Sequence, residues 1–383
     1  MNPAYISFPM SDLQSPTSSE RLVIACGGTG GHLFPGIAVA REARARGWET
    51  LLLISEKQID ALATEGQDDL RFEKVPAVAM PRPLSLAMVK FLWRFWKTRR
   101  HCVKLLRDFR ATAVLGMGGF TSLPPAMAGR KLGLKTFVHE SNAVPGKANR
   151  MTARFCRQVL LGLKECAKHF PAGRTLVTGT PLRPSLMPPA DIAAAREFFN
   201  LPEEKQTILV MGGSQGARGV NNAVIAALPA LAAHAGRVQV LFITGPGDYE
   251  VVQKACEAVS ALTTRVVPFC QRMELAYALA AVAVCRSGAS SLTELSAWGL
   301  PPVLVPYPTA ADDHQRSNAE IFTAAGAAVQ VEERDIAAGE LGAILTGLLT
   351  DPDKLASLSR AMCSLAVLDA AAKVCDAVAG TSS

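Results

Sequence analysis

Leu22-Val23-Ile24-Ala25-Cys26-Gly27-Gly28-Thr29-Gly30-Gly31-His32 is the stretch on which the fold turns. Its four leading apolar residues read as a buried strand. The glycines that follow let the chain turn tightly and bring backbone N–H groups close to a ligand. A helical pattern then runs from Pro35 to Arg46, and Gly47 stops it. The construction returns in Ile208-Leu209-Val210-Met211-Gly212-Gly213-Ser214-Gln215-Gly216. A strand, a glycine turn and a helix N-terminus together make a seat for an anion, above all a phosphate. One such seat heads each half of the chain, which predicts two phosphorylated ligands meeting in a cleft between two domains. Neither seat is a familiar nucleotide fingerprint. Leu33 stands where the dinucleotide pattern counted from Gly28 needs its third glycine, and no Gly-Lys-Ser/Thr ending is present.

Working outward, short apolar runs alternate with amphipathic ones. In the first half the predicted strands are Leu22–Ala25, Leu51–Ile54, Ala113–Leu115 and Thr136–His139. In the second they are Ile208–Met211, Val238–Ile243, Val266–Pro268, Val282–Cys285 and Val303–Val305. Continuous apolar strands between helices imply an α/β protein with parallel sheets covered on both faces, and ligands at the carboxyl ends of the strands. Prolines and a glycine cluster at Thr178–Pro189, which reads as the linker, and Asp353–Val378 is one more helical pattern. Residues 1–19 read as a flexible tail.

The chain's 383 residues are ample for two domains. Hydrophobic residues make up 49% and charged residues 19%, with a mean hydropathy of +0.20. No apolar run is long enough to span a bilayer. The nine cysteines are scattered without a Cys-x-x-Cys pair, which argues against a disulfide framework or zinc site and for a reducing compartment. A net charge of +7 calls for an anionic partner. From Arg82 to Arg107 eight lysines and arginines occur with no acid, interleaved with Phe91, Leu92, Trp93, Phe95 and Trp96. That combination suits an anionic bilayer surface. No nucleic-acid module is recognisable, so no nucleic-acid partner is expected.

Chemistry-bearing residues sit at the strand ends. His32 follows the first glycine seat, where an imidazole beside a charged ligand suits proton abstraction. Gly116-Met117-Gly118-Gly119-Phe120 is a further glycine turn, and His139-Glu140-Ser141-Asn142 follows another strand. For His139 a structural, hydrogen-bonded role is expected. In the second half Arg286-Ser287-Gly288-Ala289-Ser290-Ser291 opens a helix that bears Glu294, whose carboxylate could hold a ribose diol. Asp312-Asp313-His314-Gln315 could read sugar hydroxyls; as metal ligands these residues lack a third partner, so neither metal nor cofactor is assigned.

Gly-Gly-Thr-Gly-Gly-His with Phe34-Pro35-Gly36, then Gly-Met-Gly-Gly-Phe, His-Glu-Ser-Asn, Gly-Gly-Ser-Gln-Gly-Ala and Cys-Arg-Ser-Gly-Ala, in order from about Leu22 to about Gly326, resemble the MurG family of bacterial N-acetylglucosaminyltransferases. The resemblance implies a GT-B glycosyltransferase fold, with two Rossmann-like parallel-sheet domains facing across a cleft. It implies an acceptor- and membrane-binding domain over 20–183, with the helix at 363–383 returning to it, and a UDP-GlcNAc-binding domain over 184–362. It also implies inverting transfer of GlcNAc from UDP-GlcNAc to the muramoyl C4 hydroxyl of undecaprenyl-diphospho-MurNAc-pentapeptide (lipid I), giving lipid II for peptidoglycan, at the cytoplasmic face of the inner membrane. Carried over by position, Thr29, Gly30, Gly31, Asn142, Arg183, Ser214, Cys270, Ala289, Glu294 and Gln315 would bind UDP-GlcNAc, and His32 would be the base. Gly28, Gly118, Gly119 and Glu140 would meet the acceptor diphosphate. Phe91, Trp93, Arg94, Trp96, Lys97 and Arg100 would meet the membrane. The chain departs from the family's usual pattern at Thr180-Pro181-Leu182-Arg183, at Cys270, at Ser290-Ser291-Leu292-Thr293 and at Met80-Pro81-Arg82-Pro83-Leu84. Two other functions fit these features: a GT-B glycosyltransferase with a different acceptor, or a membrane-recruited nucleotide-sugar-binding protein without turnover.

Overall fold

The structure, a computed structural model, describes residues 20–27, 30–55, 68–76, 86–201, 205–213, 216–336 and 340–381. Residues 1–19, Gly28, Thr29, Met80–Leu84 and Ser214 lie outside the described residues. Two fully parallel sheets form the two lobes. The first contains β1 (Arg21–Ala25), β2 (Glu49–Ile54), β3 (Phe72–Lys74), β4 (Ala113–Gly116), β5 (Lys135–Glu140), β6 (Gln158–Leu161) and β7 (Thr175–Val177) in the order β3-β2-β1-β4-β5-β6-β7. The second contains β8 (Gln206–Met211), β9 (Val238–Ile243), β10 (Thr263–Val267), β11 (Ala280–Cys285), β12 (Pro302–Leu304) and β13 (Val329–Gln330) in the order β10-β9-β8-β11-β12-β13.

The period-two alternation of the central strands explains why both sheet faces are covered. Leu22 and Ile24 of β1 pack toward the helix Gly30–Ala45 and the C-terminal helix, through Leu33, Ile37, Val374 and Val378. Their neighbours Val23 and Ala25 pack toward Cys102, Leu106 and Phe109 at the end of the helix Leu86–Asp108 and its following turn. In the second lobe Ile208 and Val210 meet Val220, Val224 and Leu228 on one side, while Leu209 and Met211 meet Leu275, Leu292 and Leu295 on the other. Each such fully buried aliphatic side chain contributes about 1.5–3 kcal/mol.

The C-terminal helical pattern is two helices. Pro352–Ser364 packs against Ala289–Ala297 of the second lobe, whereas Ala370–Ala379 packs against Gly30–Ala45 of the first. Arg46 fastens the returning helix, bonding Asp376 at 2.6 Å and the carbonyl of Ala372 at 3.2 Å. The outgoing and returning crossings touch at Gly179, which has φ +76°; a Cβ there would lie 2.5 Å from the Val367 side chain.

The helix after the first glycine seat starts at Gly30, not at Pro35, which instead lies inside it. His32 therefore sits in the first helical turn rather than ahead of it. Strands β3, β6, β7 and β13 escape the sequence reading. β3, β7 and β13 are edge or near-edge segments of two or three residues with little fully buried surface, and β6 is a four-residue run.

Candidate active site between the lobes

The first lobe builds its part of the site around His32. Its imidazole lies directly on the Gly118–Gly119 turn that follows β4. A Cβ at Gly118 would stand 2.8 Å from both Cδ2 and Nε2 of His32, and one at Gly119 would stand 3.3 Å from Cε1. Both glycines have positive φ, +120° and +71°. The turn is locked from below by Ser122, which is fully buried: its hydroxyl donates to the Gly118 carbonyl at 2.8 Å and accepts from the Gly118 N–H at 3.0 Å. The Thr121 hydroxyl ties the turn to the carbonyl of Gly27 in the first glycine seat at 2.7 Å. His32 and the Gly118–Gly119 turn, at least 86 positions apart in the sequence, thus form one surface next to Gly30 and Gly31. Gly118→Ala should cost about 1–3 kcal/mol of stability through the strained backbone. It should also lower turnover by displacing the imidazole. Thermal denaturation together with initial rates tests both effects.

Glu140, expected at the acceptor diphosphate, is engaged by the loop and helix that follow β5. It is 3% exposed, and four donors satisfy it. Oε1 accepts from the Asn142 N–H at 3.0 Å and from Asn142 Nδ2 at 2.9 Å. Oε2 accepts from the Gly146 N–H at 3.1 Å and from Asn149 Nδ2 at 2.7 Å. These bonds shape the 141–146 loop. Asn149, on the helix Lys147–Ala153 that follows the loop, also comes within 3.3 Å of the Cβ position of Gly118, so that helix backs the His32 surface. His139 is fully buried, with Nε2 2.9 Å from the Gly179 carbonyl oxygen. Burial holds its imidazole below the ordinary histidine pKa, and the nearby His32 adds to the effect. It is a neutral brace between β5 and the interlobe crossing.

The second lobe gathers Arg183, Tyr277 and Glu294. Glu294 projects from the helix Ala289–Ala297, and the hydroxyl of the buried Tyr277 donates to its Oε2. Burial raises the Glu294 carboxyl pKa, against the pull of the Tyr277 hydrogen bond and the Arg183 charge. Burial lowers the pKa of Arg183, offset in part by Glu294 and Tyr277, and pushes that of the Tyr277 phenol well above its ordinary value. The Arg183 guanidinium lies 3.8 Å above the centre of the Phe34 ring, which belongs to the first lobe's helix Gly30–Ala45. Its Nε is buried with no hydrogen-bond partner. A cation with an unmet donor, beside a carboxylate and at the junction of both lobes, is suited to an anionic ligand.

Ala289 is the first residue of its helix, and no side chain caps that N-terminus. Arg286 braces the neighbouring loop, donating to the carbonyls of Val305 at 3.1 Å and Pro306 at 3.2 Å and pairing with Glu333 at 2.5 Å. Gln315 takes its place through that loop: its Oε1 accepts from the Tyr307 N–H at 3.0 Å and its carbonyl from the Ser287 hydroxyl at 2.7 Å. Asp312 and Asp313 just before it hold left-handed φ values of +53° and +51°, strain of the kind that clusters at ligand sites. Cys270 lies after β10 with its thiol buried and its pKa pushed up to about 11, so it stays protonated.

The lobes are joined by Asn318 on the helix His314–Ala324. Its Oδ1 accepts from the Ala143 N–H at 2.9 Å, and its Nδ2 donates to Asn142 Oδ1 at 3.1 Å and to the Ser287 carbonyl at 3.0 Å. Asn318, Tyr277, Asn149 and Phe34 are the site residues that sequence reasoning missed. For Asn318 a signal existed: an asparagine inside a helix, three residues after Gln315, is a poor helix former that needs a reason.

On the first lobe's outer surface the helix Leu86–Asp108 divides its aromatics. Trp93 and Trp96 are 60% and 51% exposed, and Arg94, Lys97 and Arg100 are exposed beside them. Lys97 lies 5.5 Å from the Trp93 ring centre and Arg100 4.5 Å from that of Trp96. Phe91, expected at the membrane, is 9% exposed and stacks on Phe95 at 5.9 Å, so it belongs to the packing side. Four-residue spacing puts Phe91 and Phe95 together there, and the tryptophans fall on the opposite side. Among the described residues no helix is long and apolar enough to cross a membrane.

The sequence matches the glycosyltransferase family 28 N-terminal domain over residues 22–161 and the C-terminal domain over residues 207–374. It is 39% identical over 358 residues to the UDP-N-acetylglucosamine--N-acetylmuramyl-(pentapeptide) pyrophosphoryl-undecaprenol N-acetylglucosamine transferase of Geobacter sulfurreducens, covering 93% of this chain and 97% of that protein. The Geotalea uraniireducens protein of the same name is 37% identical over 370 residues, covering 93% and 97%. Among solved structures, Acinetobacter baumannii MurG superposes with a TM-score of 0.74 at 26% identity, over 94% of this chain and 99% of that one. The UDP-GlcNAc 2-epimerase of Neisseria meningitidis shares the fold at a TM-score of 0.68 and 12% identity, over 94% of this chain and 100% of that one. Two parallel-sheet lobes with a polar site between them, matched along nearly the whole chain, place this protein in glycosyltransferase family 28, among the MurG transferases, with the GT-B fold.

Proposed function

We propose that the chain transfers GlcNAc, with inversion, from UDP-GlcNAc to the muramoyl C4 hydroxyl of lipid I, releasing UDP and forming lipid II. The observation that carries this reading is the His32 imidazole seated on the Gly118–Gly119 turn in one lobe, with the Arg183–Glu294–Tyr277 group in the other. His32 takes the proton of the acceptor hydroxyl as its oxygen attacks the anomeric carbon. The bond from that carbon to the diphosphate oxygen breaks, and its electron pair leaves with UDP. The growing negative charge is met by the uncapped helix N-terminus at Ala289 and by Arg183. Glu294 holds the ribose diol, with Tyr277 fixing one of its oxygens. Gly30, Gly31, Asn142 and Gln315 contact UDP-GlcNAc, and Cys270 meets its base through the backbone. This chemistry needs no metal or cofactor. Transfer of radiolabelled GlcNAc from UDP-GlcNAc to a short-chain lipid I analogue tests the assignment. Turnover of UDP-GlcNAc only with unrelated acceptors, or donor binding without turnover, would overturn it.

The acceptor's lipid tail stays in a bilayer, so the first lobe docks on the cytoplasmic surface as a peripheral protein. Trp93 and Trp96 with Arg94, Lys97 and Arg100 supply the docking surface. Each cation contributes about 1 kcal/mol at an anionic surface, less at high salt. Reversing the charge of Arg94, Lys97 and Arg100 should abolish binding to anionic vesicles and leave turnover of a water-soluble acceptor analogue unchanged. Equal vesicle binding by wild type and the triple variant would assign docking to another surface.

A further inference from the structure

The geometry points to Asn318 as a positioning residue for transfer, a clasp that sets the registry of the two lobes by keying the acceptor-side loop to the donor-side loop. It rests on the transferase reading above and goes beyond it. The Asn318 side chain is fully buried although it lies between two lobes. Its orientation is forced by its partners. The Ala143 N–H can only donate and the Ser287 carbonyl can only accept, so the amide oxygen faces Ala143 and the amide nitrogen faces Ser287. The second amide hydrogen goes to Asn142 Oδ1. Both hydrogens and one lone pair are therefore committed, two contacts to the first lobe and one to the second lobe's own loop. Neither aspartate nor leucine can reproduce this set.

The clasp is continuous with both halves of the site. On one side Asn142 passes the connection to Glu140, and Glu140 passes it to Asn149, which lies against the Gly118 position beneath His32. On the other side Ser287 bonds the carbonyl of Gln315, on the same helix as Asn318. A hydrogen-bonded chain thus runs from the surroundings of the base, through Asn318, to the loop that opens the Ala289 helix. In-line attack needs the acceptor oxygen and the anomeric carbon held in one alignment, and misplacement by about 1 Å costs about a hundredfold in rate. A buried, fully satisfied link between the lobes supplies that alignment.

Three measurements test this. In the wild-type protein, hydrogen exchange at the Ala143 amide should be as slow as at amides of β5; exchange at the rate of an exposed loop amide would overturn the clasp without reference to any activity or variant. Asn318→Ala should speed Ala143 exchange while β1 and β8 stay protected. It should also lower kcat by about tenfold to a hundredfold, because Ala143 and Ser287 lose buried partners, with the Kd for UDP changed by less than about twofold. Asn318→Asp keeps an acceptor for Ala143 but cannot donate to Ser287. It should restore slow Ala143 exchange without restoring kcat. A fall in UDP affinity equal to the fall in kcat, or unchanged kcat in both variants, would overturn the positioning role. Failure of wild type to transfer GlcNAc while Ala143 stays protected would instead count against the substrate assignment alone.

Discussion

His32→Ala should lower kcat by about a hundredfold or more, the upper part of the range for loss of a general base, with the donor KM little changed. The reason is the placement of the ring. It rests on two glycines whose missing side chains make room for it, in the first turn of a helix at the end of β1. In the proposed arrangement the second lobe holds the donor and His32 belongs to the first, so donor affinity should change little. Gly118→Ala perturbs the same ring from the other side and should mimic the effect in part. Steady-state kinetics with both substrates varied provides the check. A variant with normal kcat and weak acceptor binding would make His32 an acceptor-holding residue and remove its role as base.

Glu294→Ala should raise the donor KM by about tenfold to a hundredfold, as charge-assisted hydrogen bonds to the ribose are lost at about 1.5–3 kcal/mol each and partly replaced by water. The substitution also strips the buried Tyr277 hydroxyl of an acceptor and Arg183 of a neighbouring countercharge, so thermal stability should fall as well. Glu294→Gln separates the two effects. Its amide oxygen can still accept from Tyr277, restoring stability, whereas the weaker neutral acceptor leaves much of the KM effect in place. Isothermal titration with UDP-GlcNAc and a melting curve for each variant distinguish ligand binding from folding. An unchanged donor affinity in a folded Glu294→Ala protein would remove Glu294 from the ribose site.

Much of this architecture was legible because strand and glycine seat carry their own signals. The central strands β1, β2, β4, β5, β8, β9 and β11 announce themselves as apolar runs, since each is buried on both faces. The edge strands do not: Phe72–Lys74 has no fully buried residue and shows no pattern that separates it from a loop. The sequence singles out His32 by its place after the glycines but not its contact with Gly118, because nothing local links positions so far apart. The partners of Glu140 were hidden for a related reason. In the sequence it is a carboxylate at a strand end among other polar residues, and only the folded chain reveals that Asn142, Gly146 and Asn149 turn their donors onto it. Phe91 illustrates the limit of composition: the stripe on the helix Leu86–Asp108 is aromatic and basic throughout, and packing against the first lobe decides which aromatics turn inward. Asn318 carries the mark of an asparagine inside a helix, but its partners, from two lobes and from backbone groups, cannot be read from the sequence.

Transfer is proposed as a single direct displacement: an acceptor hydroxyl deprotonated by His32 in one lobe attacks a sugar held by the other. The anomeric configuration of the new glycosidic bond tests it most directly. With α-linked UDP-GlcNAc as donor and a lipid I analogue as acceptor, NMR of the initial product should show a β-linked GlcNAc on the muramoyl C4 oxygen. An α-linked product, which requires two displacements or front-side attack, would contradict it.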